Sequence, residues 1–403
     1  MKNSTLNRVY LILGCIICFY IPFTSFAAAL PNIIAILMAL IYILMKKNKE
    51  SSLINEPYFK PLVIFLIYVL LLSILNKTIY TDFREILKIL HLILLIPILY
   101  EVKEKAFLIF SFIFGVIISS SATLFNIVSA SNFNLNDFIL DGAIVKEVFV
   151  TQRLYLGFFL SISTIFCAIT FFDSNNKIIR KTSLILGIII TGLIFIFSSR
   201  SSIIIWFILL ISILIFKRKE LIQYKKTLLI ALILILSLIT LNFNTLNKRF
   251  FYSGDIYTKT LIDKVIKHEP RFLIWKFSFE LIAENEKYFF GLGNKETNNL
   301  LIEKYRTIQN KKRGNWFIER GFNTHNQFLD FMLNYGIIGL VIYLYVFLSY
   351  LFSLKKNIFL FNLILSLFIF SCLENILNRQ LGVYIFAFLL ITSKSLPNRE
   401  FNE

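Results

Sequence analysis

Residues 323–354 read NTHNQFLDFMLNYGIIGLVIYLYVFLSYLFSL and join a polar start, which contains His325, to a long apolar run. The run over 336–354 contains no charged residue, and its length suffices to cross a hydrocarbon core of about 30 Å. It therefore predicts a membrane-spanning helix. Eleven other apolar runs occur, and the twelve predicted spans are 9–23, 28–45, 61–75, 86–100, 106–130, 154–172, 183–197, 201–216, 227–241, 336–354, 358–373 and 381–392.

The composition indicates the same class of protein. Hydrophobic residues make up 57% of the 403 residues and charged residues only 16%, whereas a soluble domain has about 25% charged residues. We therefore predict an all-α, polytopic membrane protein with about twelve transmembrane helices. The four cysteines, which include Cys15 and Cys18, lie in apolar runs and indicate no metal site. The start of the chain is also compatible with a cleaved signal peptide.

Lysine and arginine are distributed unevenly between the short loops, and short cytoplasmic loops are enriched in these residues. The bias places both termini in the cytoplasm and the long segment 242–335 on the opposite side. The net charge of +18 thus reflects membrane orientation and contact with lipids, and we predict no nucleic-acid partner. The basic loops on the cytoplasmic side include 46–49, 103–105, 177–181, 217–226 and 355–356.

The chain is predicted to have three parts. Residues 1–241 hold transmembrane helices 1–9, residues 242–335 form one large, largely helical loop on the outer face (a periplasmic loop, if the resemblance given below holds), and residues 336–403 hold helices 10–12 and a short cytoplasmic tail. Within the loop, Pro270 fits the first position of a helix. Thr324, followed three residues later by Gln327, matches a capping box, which would put His325 and Asn326 in the first turn of a helix that leads through Gly336 into the next span.

His325 is a candidate general base, because the positive end of a helix dipole would keep its imidazole neutral. Arg200 lies between two apolar runs on the predicted outer face, and Arg271 lies near the start of the loop helix. A guanidinium group binds phosphate through paired donors and keeps its charge. Each arginine is also explicable as an ordinary interfacial or surface charge.

Arg153, Glu374 and Arg379 lie at the outer ends of predicted spans and are candidate supporting residues, together with Asn326. Glu374 could orient an arginine or a substrate hydroxyl, or it could simply pair with Arg379. These residues predict a basic site without a metal or a cofactor at the membrane–water boundary. Such a site suits a lipid-linked phosphate donor, whose apolar tail stays between the helices.

The order of several motifs resembles the O-antigen ligase family, which also includes O-antigen polymerases and protein O-oligosaccharyltransferases. The resemblance covers residues 184–390. The motifs are Ser-Ser-Arg200-Ser, Arg271-Phe-Leu-Ile-Trp, Gly291-Leu-Gly293, His325-Asn326-Gln-Phe-Leu, Tyr335-Gly-Ile-Ile-Gly339 and Glu374 followed by Arg379-Gln-Leu-Gly382.

This resemblance implies a GT-C-like protein of the bacterial inner membrane, with its active site facing the periplasm. It implies inverting, metal-independent transfer of a glycan from undecaprenyl pyrophosphate. Arg200 and Arg271 would bind the donor pyrophosphate, and His325 would activate the acceptor hydroxyl. Our leading hypothesis is an O-antigen ligase whose acceptor is lipid A–core. The alternatives are an O-antigen polymerase, a protein O-oligosaccharyltransferase and, from a different class, a lipid-linked oligosaccharide flippase.

Overall fold

The computed structural model describes residues 2–23, 29–45, 52–130, 148–197, 199–218, 260–284 and 286–392, with the single positions 233, 237, 240, 247 and 251. In these residues the chain forms α-helices joined by turns and short 3-10 helices, with no β-strand. The all-α prediction is therefore confirmed for the part of the chain that the structure describes.

The helices are numbered here in chain order. They are α1 (Lys2–Tyr20), α2 (Ala29–Met45), α3 (Phe59–Leu75), α4 (Ile79–Tyr100), α5 (Lys105–Ala130), α6 (Arg153–Asp173), α7 (Lys177–Phe197), α8 (Arg200–Phe216), α9 (Leu261–His268), α10 (Pro270–Glu284), α11 (Asn294–Arg306), α12 (Lys311–Arg320), α13 (Gln327–Leu354), α14 (Ile358–Ser371) and α15 (Gln380–Thr392). Eleven of the twelve predicted spans coincide with one of these helices. The remaining one, 227–241, lies outside the described residues except for positions 233, 237 and 240.

Five of the helices are long and apolar enough to cross a membrane, and five shorter helices of 10–17 residues are also apolar. These helices identify a multi-pass membrane protein, while the count of twelve crossings stays a prediction. Helix α4 begins at Ile79, seven residues before the predicted span, and its added turns carry charged residues. The apolar pattern missed these turns because hydropathy does not distinguish a charged helical turn from a loop.

Helices α6 and α15 form the centre of the bundle, since almost every residue along each of them is buried. Both are apolar around their whole circumference, as expected of a helix without a solvent-facing side. The surrounding helices α2, α3, α5, α8 and α13 expose large apolar side chains outward. This arrangement of an apolar centre and an apolar periphery is suited to lipid surroundings.

The part of the loop that the structure describes has a small core of its own. Helix α10 begins at Pro270, as predicted, and packs against α11 and α13. The polar stretch after Gly293 forms two helices, α11 and α12, because Asn310 accepts a hydrogen bond from the Arg313 N–H and starts a second helix. The core residues are Ile274, Phe277, Leu281, Leu301, Tyr305, Phe317 and Leu333.

Helix α13 is broken at Gly336, where φ is 67° and ψ is −171°. The two segments on either side of the break pack against each other. The ring centroids of Phe331 and Tyr343 are 4.7 Å apart, and those of Phe328 and Phe347 are 5.9 Å apart. In one straight helix, Phe328 and Phe347 would be separated by about 28 Å. The segment that follows His325 therefore folds back onto the membrane span instead of extending it.

Candidate active site

The centre of the candidate site is the side chain of Glu374, which is buried just after α14. Its Oε2 atom lies 3.3 Å from Nδ1 of His325 and 3.9 Å from Nη2 of Arg271. Its Oε1 atom lies 3.7 Å from Nε of Arg379. Arg271 also donates a hydrogen bond from Nε to the carbonyl oxygen of Leu373 at 3.1 Å. One carboxylate therefore gathers a histidine and two arginines that are distant in sequence.

The ionisation of Glu374 decides which nitrogen of His325 carries a proton. Burial alone would raise the pKa of Glu374, but the hydrogen bond with His325 and the charges of His325, Arg379 and Arg271 hold it below its usual value. The carboxylate is thus ionised and can only accept. Nδ1 of His325 is therefore the donor, and in a neutral imidazole Nε2 keeps its lone pair and can accept a proton.

His325 does not lie in the first turn of a helix, so the predicted capping box is wrong. Helix α13 begins at Gln327 and is capped by Asn326, whose side-chain oxygen accepts from the N–H groups of Phe328 and Leu329 at 2.9 and 3.1 Å. Asparagine is among the best capping residues and satisfies both donors by itself. The orientation of the imidazole therefore rests on its contact with Glu374 and not on the start of a helix.

The backbone around His325 is held in an uncommon conformation. Its φ angle is 44°, a left-handed value that few residues other than glycine adopt. The Asn323 side chain accepts a hydrogen bond from the His325 N–H at 3.1 Å, and Trp275 donates to the carbonyl of Thr324 at 3.1 Å. The ring of Phe322 packs beside the imidazole. A strained backbone conformation that several surrounding contacts hold in place is typical of functional positions.

A buried polar network, which we call the Asp330 network, ties the start of α13 to the segment that carries Glu374. Asn375 donates from Nδ2 to Oδ1 of Asp330 at 3.0 Å, and its side chain also pairs with the hydroxyl of Thr324. Asn378 donates to Oδ2 of Asp330 at 3.4 Å. Because Thr324 precedes His325 and Asn375 follows Glu374, this network sets the distance between the imidazole and the carboxylate.

Arg200 reaches the same region from the membrane bundle. It is the first residue of α8, and its Nη1 atom forms an ion pair with Oε1 of Glu269. Glu269 lies two residues before Arg271, which contacts Glu374. The structure therefore brings Arg271 and His325 together at Glu374, and it links Arg200 through Glu269 to the start of the helix that carries Arg271. Three guanidinium groups, counting Arg379, outnumber these two carboxylates, so the site remains cationic.

The other predicted residues have supporting contacts. Arg153 donates from Nε to the carbonyl oxygen of Phe197 at 3.0 Å, just before Arg200. The guanidinium of Arg379 lies over the ring of Tyr155, 5.9 Å from its centroid. The role of Asn326 is structural, since its side chain caps α13. Among the residues that the structure describes, no group of three or more His, Cys, Asp or Glu side chains converges as a metal site would require.

Several residues of the site were missed by the sequence analysis. Glu269 lies directly before the predicted helix start at Pro270 and had the only local signal, since acidic residues favour helix starts. Asp330 sits in an apolar stretch of α13, where a carboxylate needs a buried partner. Its partners Asn375 and Asn378 are more than forty residues away in sequence, so no local pattern could identify them.

The fold and the site define a multi-pass membrane protein with a cationic site built around a histidine and a buried carboxylate. Residues 184–344 match the family model described as O-antigen ligase. This match confirms the resemblance over a part of the chain that contains Arg200, Arg271 and His325, whereas Glu374 lies beyond its end. No curated protein matches the chain. The matched domain supports an enzyme of the O-antigen ligase and polymerase type, that is, a glycosyltransferase.

Proposed function

We propose that the protein is an inverting glycosyltransferase that moves O-antigen glycan from undecaprenyl pyrophosphate to lipid A–core. The observation that carries the proposal is the contact of His325 with the buried carboxylate of Glu374, beside Arg271, in a chain with an O-antigen ligase domain. An oriented base and fixed positive charges are what transfer from a pyrophosphate to a hydroxyl requires.

In this mechanism, Glu374 holds the Nδ1 proton of His325 and leaves Nε2 free to act as the base. Nε2 takes the proton of the acceptor hydroxyl while the hydroxyl oxygen attacks the anomeric carbon of the donor. The bond between that carbon and the pyrophosphate oxygen breaks, and its electron pair leaves with undecaprenyl pyrophosphate. Attack from the face opposite the leaving group inverts the anomeric configuration.

The arginines bind the donor in this mechanism. Arg200 and Arg271 would hold the pyrophosphate through paired charged hydrogen bonds, which become stronger as negative charge develops on the leaving group. The ion pair between Arg200 and Glu269 must open for a phosphate to take the place of the carboxylate. We infer that the site faces the periplasm of the bacterial inner membrane, where the polyprenyl tail lies between helices.

Transfer by the purified protein in vesicles tests the proposal. The donor is an isolated undecaprenyl-pyrophosphate glycan, offered with lipid A–core, with a second lipid-linked repeat unit or with an acceptor protein. The proposal expects labelled glycan on lipid A–core. Transfer to the repeat unit would assign a polymerase, and transfer to the protein would assign an oligosaccharyltransferase. Movement of the donor across the bilayer without any transfer would contradict the proposal and indicate a flippase.

A further inference from the structure

Three consecutive aromatic residues lie exposed in the turn between α10 and α11. They are Tyr288, Phe289 and Phe290, and Phe289 has 61% of its surface exposed. Three exposed aromatic rings in a row are unfavourable in water, because each ring would gain free energy by burying its large apolar surface against a partner. The adjacent charged residues Glu286 and Lys287 are exposed as well. This aromatic turn therefore combines apolar rings with charges, as residues at a membrane interface do.

Backbone hydrogen bonds fix the aromatic turn to the break in α13. The N–H groups of Leu292 and Gly293 donate to the carbonyls of Leu333 and Asn334 at 2.7 and 3.0 Å. The N–H of Ile337, on the other side of the break, donates to the carbonyl of Tyr288 at 3.0 Å. These bonds satisfy the backbone groups that the broken helix leaves unpaired. Non-helical backbone at membrane depth requires this kind of internal satisfaction.

The aromatic turn and the break in α13 approach each other so closely that both contact positions require glycine. A Cβ atom at Gly336 would lie 2.2 Å from the carbonyl oxygen of Phe289, and one at Gly291 would lie 2.5 Å from the carbonyl carbon of Asn334. Both glycines also have positive φ angles. The aromatic turn is thus rigidly attached to the break, and the height of the break sets the height of the turn.

Helix α3 shows where the break lies along the bundle. Its Tyr68 hydroxyl donates to the carbonyl of Tyr335 at 2.8 Å, directly before Gly336. Helix α3 continues past Tyr68 to Leu75, a further distance of about 10 Å. The outward-facing residues of this last part are apolar and exposed, namely Leu71, Ile74 and Leu75. The lipid-facing surface therefore extends to the level of the break and of the aromatic turn.

We propose that the aromatic turn lies in the bilayer interface, in the leaflet next to the candidate site, and packs its three rings against phospholipid. The lipid-facing surfaces of α3 and α13 meet the turn at the break, so the turn continues the surface that lipid covers. The rings take the boundary between headgroups and acyl chains, which suits aromatic residues. The same hydrogen bonds hold the end of the segment that runs from His325 to the break, so this contact sets the height of His325 relative to the membrane. The inference does not depend on the reaction that the site performs.

Photo-crosslinking in phospholipid vesicles tests this contact without removing native cysteines. A photoreactive phenylalanine analogue is placed at Phe289, at Tyr345 or at Gln309. Tyr345 is the lipid-facing standard, with 59% of its surface exposed on α13. Gln309 is exposed in the polar connection between α11 and α12 and is the water-facing standard. We expect position 289 to give phospholipid adducts at the level of position 345 and several-fold above position 309.

Adducts at position 289 no more frequent than at position 309 would overturn the proposal, and so would a dimer-sized protein adduct. A second measurement does not depend on crosslinking geometry. Spin labels at the same positions, in a variant whose four cysteines are replaced, are relaxed by oxygen in lipid and by a nickel complex in water. The label at position 289 should respond more to oxygen than to nickel, as at position 345. The reverse ratio would also overturn the proposal.

Discussion

The two carboxylates of the candidate site hold arginines in different surroundings. The side chain of Glu374 is 4% exposed and contacts His325, Arg271 and Arg379, whereas that of Glu269 is 21% exposed and pairs with Arg200. A buried carboxylate among cations cannot leave without stranding their charges. A half-buried ion pair exchanges its partner at a much smaller cost. The Glu374 side is thus a fixed framework, and the Glu269 side can open to accept an anion.

Replacing the base on the fixed side should have the largest effect. We expect His325→Ala to lower the rate of glycan transfer by about 10²- to 10⁴-fold, which is the usual contribution of a general base. Donor binding should persist, because the arginines remain. Transfer rate and donor affinity of the purified variant in vesicles measure the two effects separately. Transfer at the wild-type rate would remove His325 from the mechanism.

The comparison between the two carboxylates predicts that replacing glutamate by glutamine impairs catalysis at position 374 and improves donor binding at position 269. Glu374→Gln replaces the charged acceptor that orients His325 and should lower kcat by up to about 10⁴-fold, the loss found when an amide replaces the carboxylate behind a catalytic histidine. Glu269→Gln is the matched control, and it should leave kcat unchanged and lower the donor KM, because Arg200 no longer has a competing carboxylate. Steady-state measurements of kcat and donor KM for both variants test this difference. Equal losses of kcat would mean that the two carboxylates have the same role.

Arg200→Lys should have a smaller effect, which is confined to the binding of the donor. A lysine keeps the charge but cannot offer two parallel donors to a phosphate. Loss of one hydrogen bond to a charged group costs at least about 1.5 kcal/mol, which corresponds to roughly a tenfold rise in donor KM. Arg320→Lys, in an exposed position on α12, is the control and should change nothing. A fully active Arg200→Lys variant would show that paired phosphate binding is wrong.

The smallest effect is expected from the Asp330 network, which acts on His325 only by positioning it. Asp330→Asn sets two amide groups against each other, and Asn375→Asp sets two carboxylates against each other. Each single change should lower kcat several-fold with little change in donor KM. The double variant restores one amide and one carboxylate and should recover most of the activity. If the double variant is worse than both single variants, the network does not position His325 in the way described.

The helices and the identity of the central residues could be predicted because their signals are local. Apolar runs, the proline at the start of α10 and the histidine followed by asparagine are readable over a few residues. Their surroundings were not predictable. The break at Gly336 depends on hydrogen bonds from Leu292 and Gly293, more than forty residues earlier. The capping box and the apolar run together predicted a helix leading straight into the span, whereas the structure folds the first segment back onto it.

The error at the capping box has a similar cause. Thr324 and Gln327 have the right spacing, but both side chains have stronger non-local partners. The hydroxyl of Thr324 bonds to Asn375, and the side-chain oxygen of Gln327 accepts from the N–H of Leu377 at 2.8 Å. A local motif fails when tertiary contacts compete for its side chains. The same contacts bring Glu374 to His325, which sequence spacing alone left open.

The most direct test of the site is an experimental structure of the His325→Ala variant in a lipid nanodisc with bound undecaprenyl-pyrophosphate glycan, which this variant should hold without turnover. We expect the pyrophosphate oxygens within hydrogen-bonding distance of the guanidinium groups of Arg200 and Arg271, with the Glu269 carboxylate displaced. The anomeric carbon should then face position 325. A pyrophosphate bound away from both arginines, or a sugar out of reach of position 325, would contradict the account.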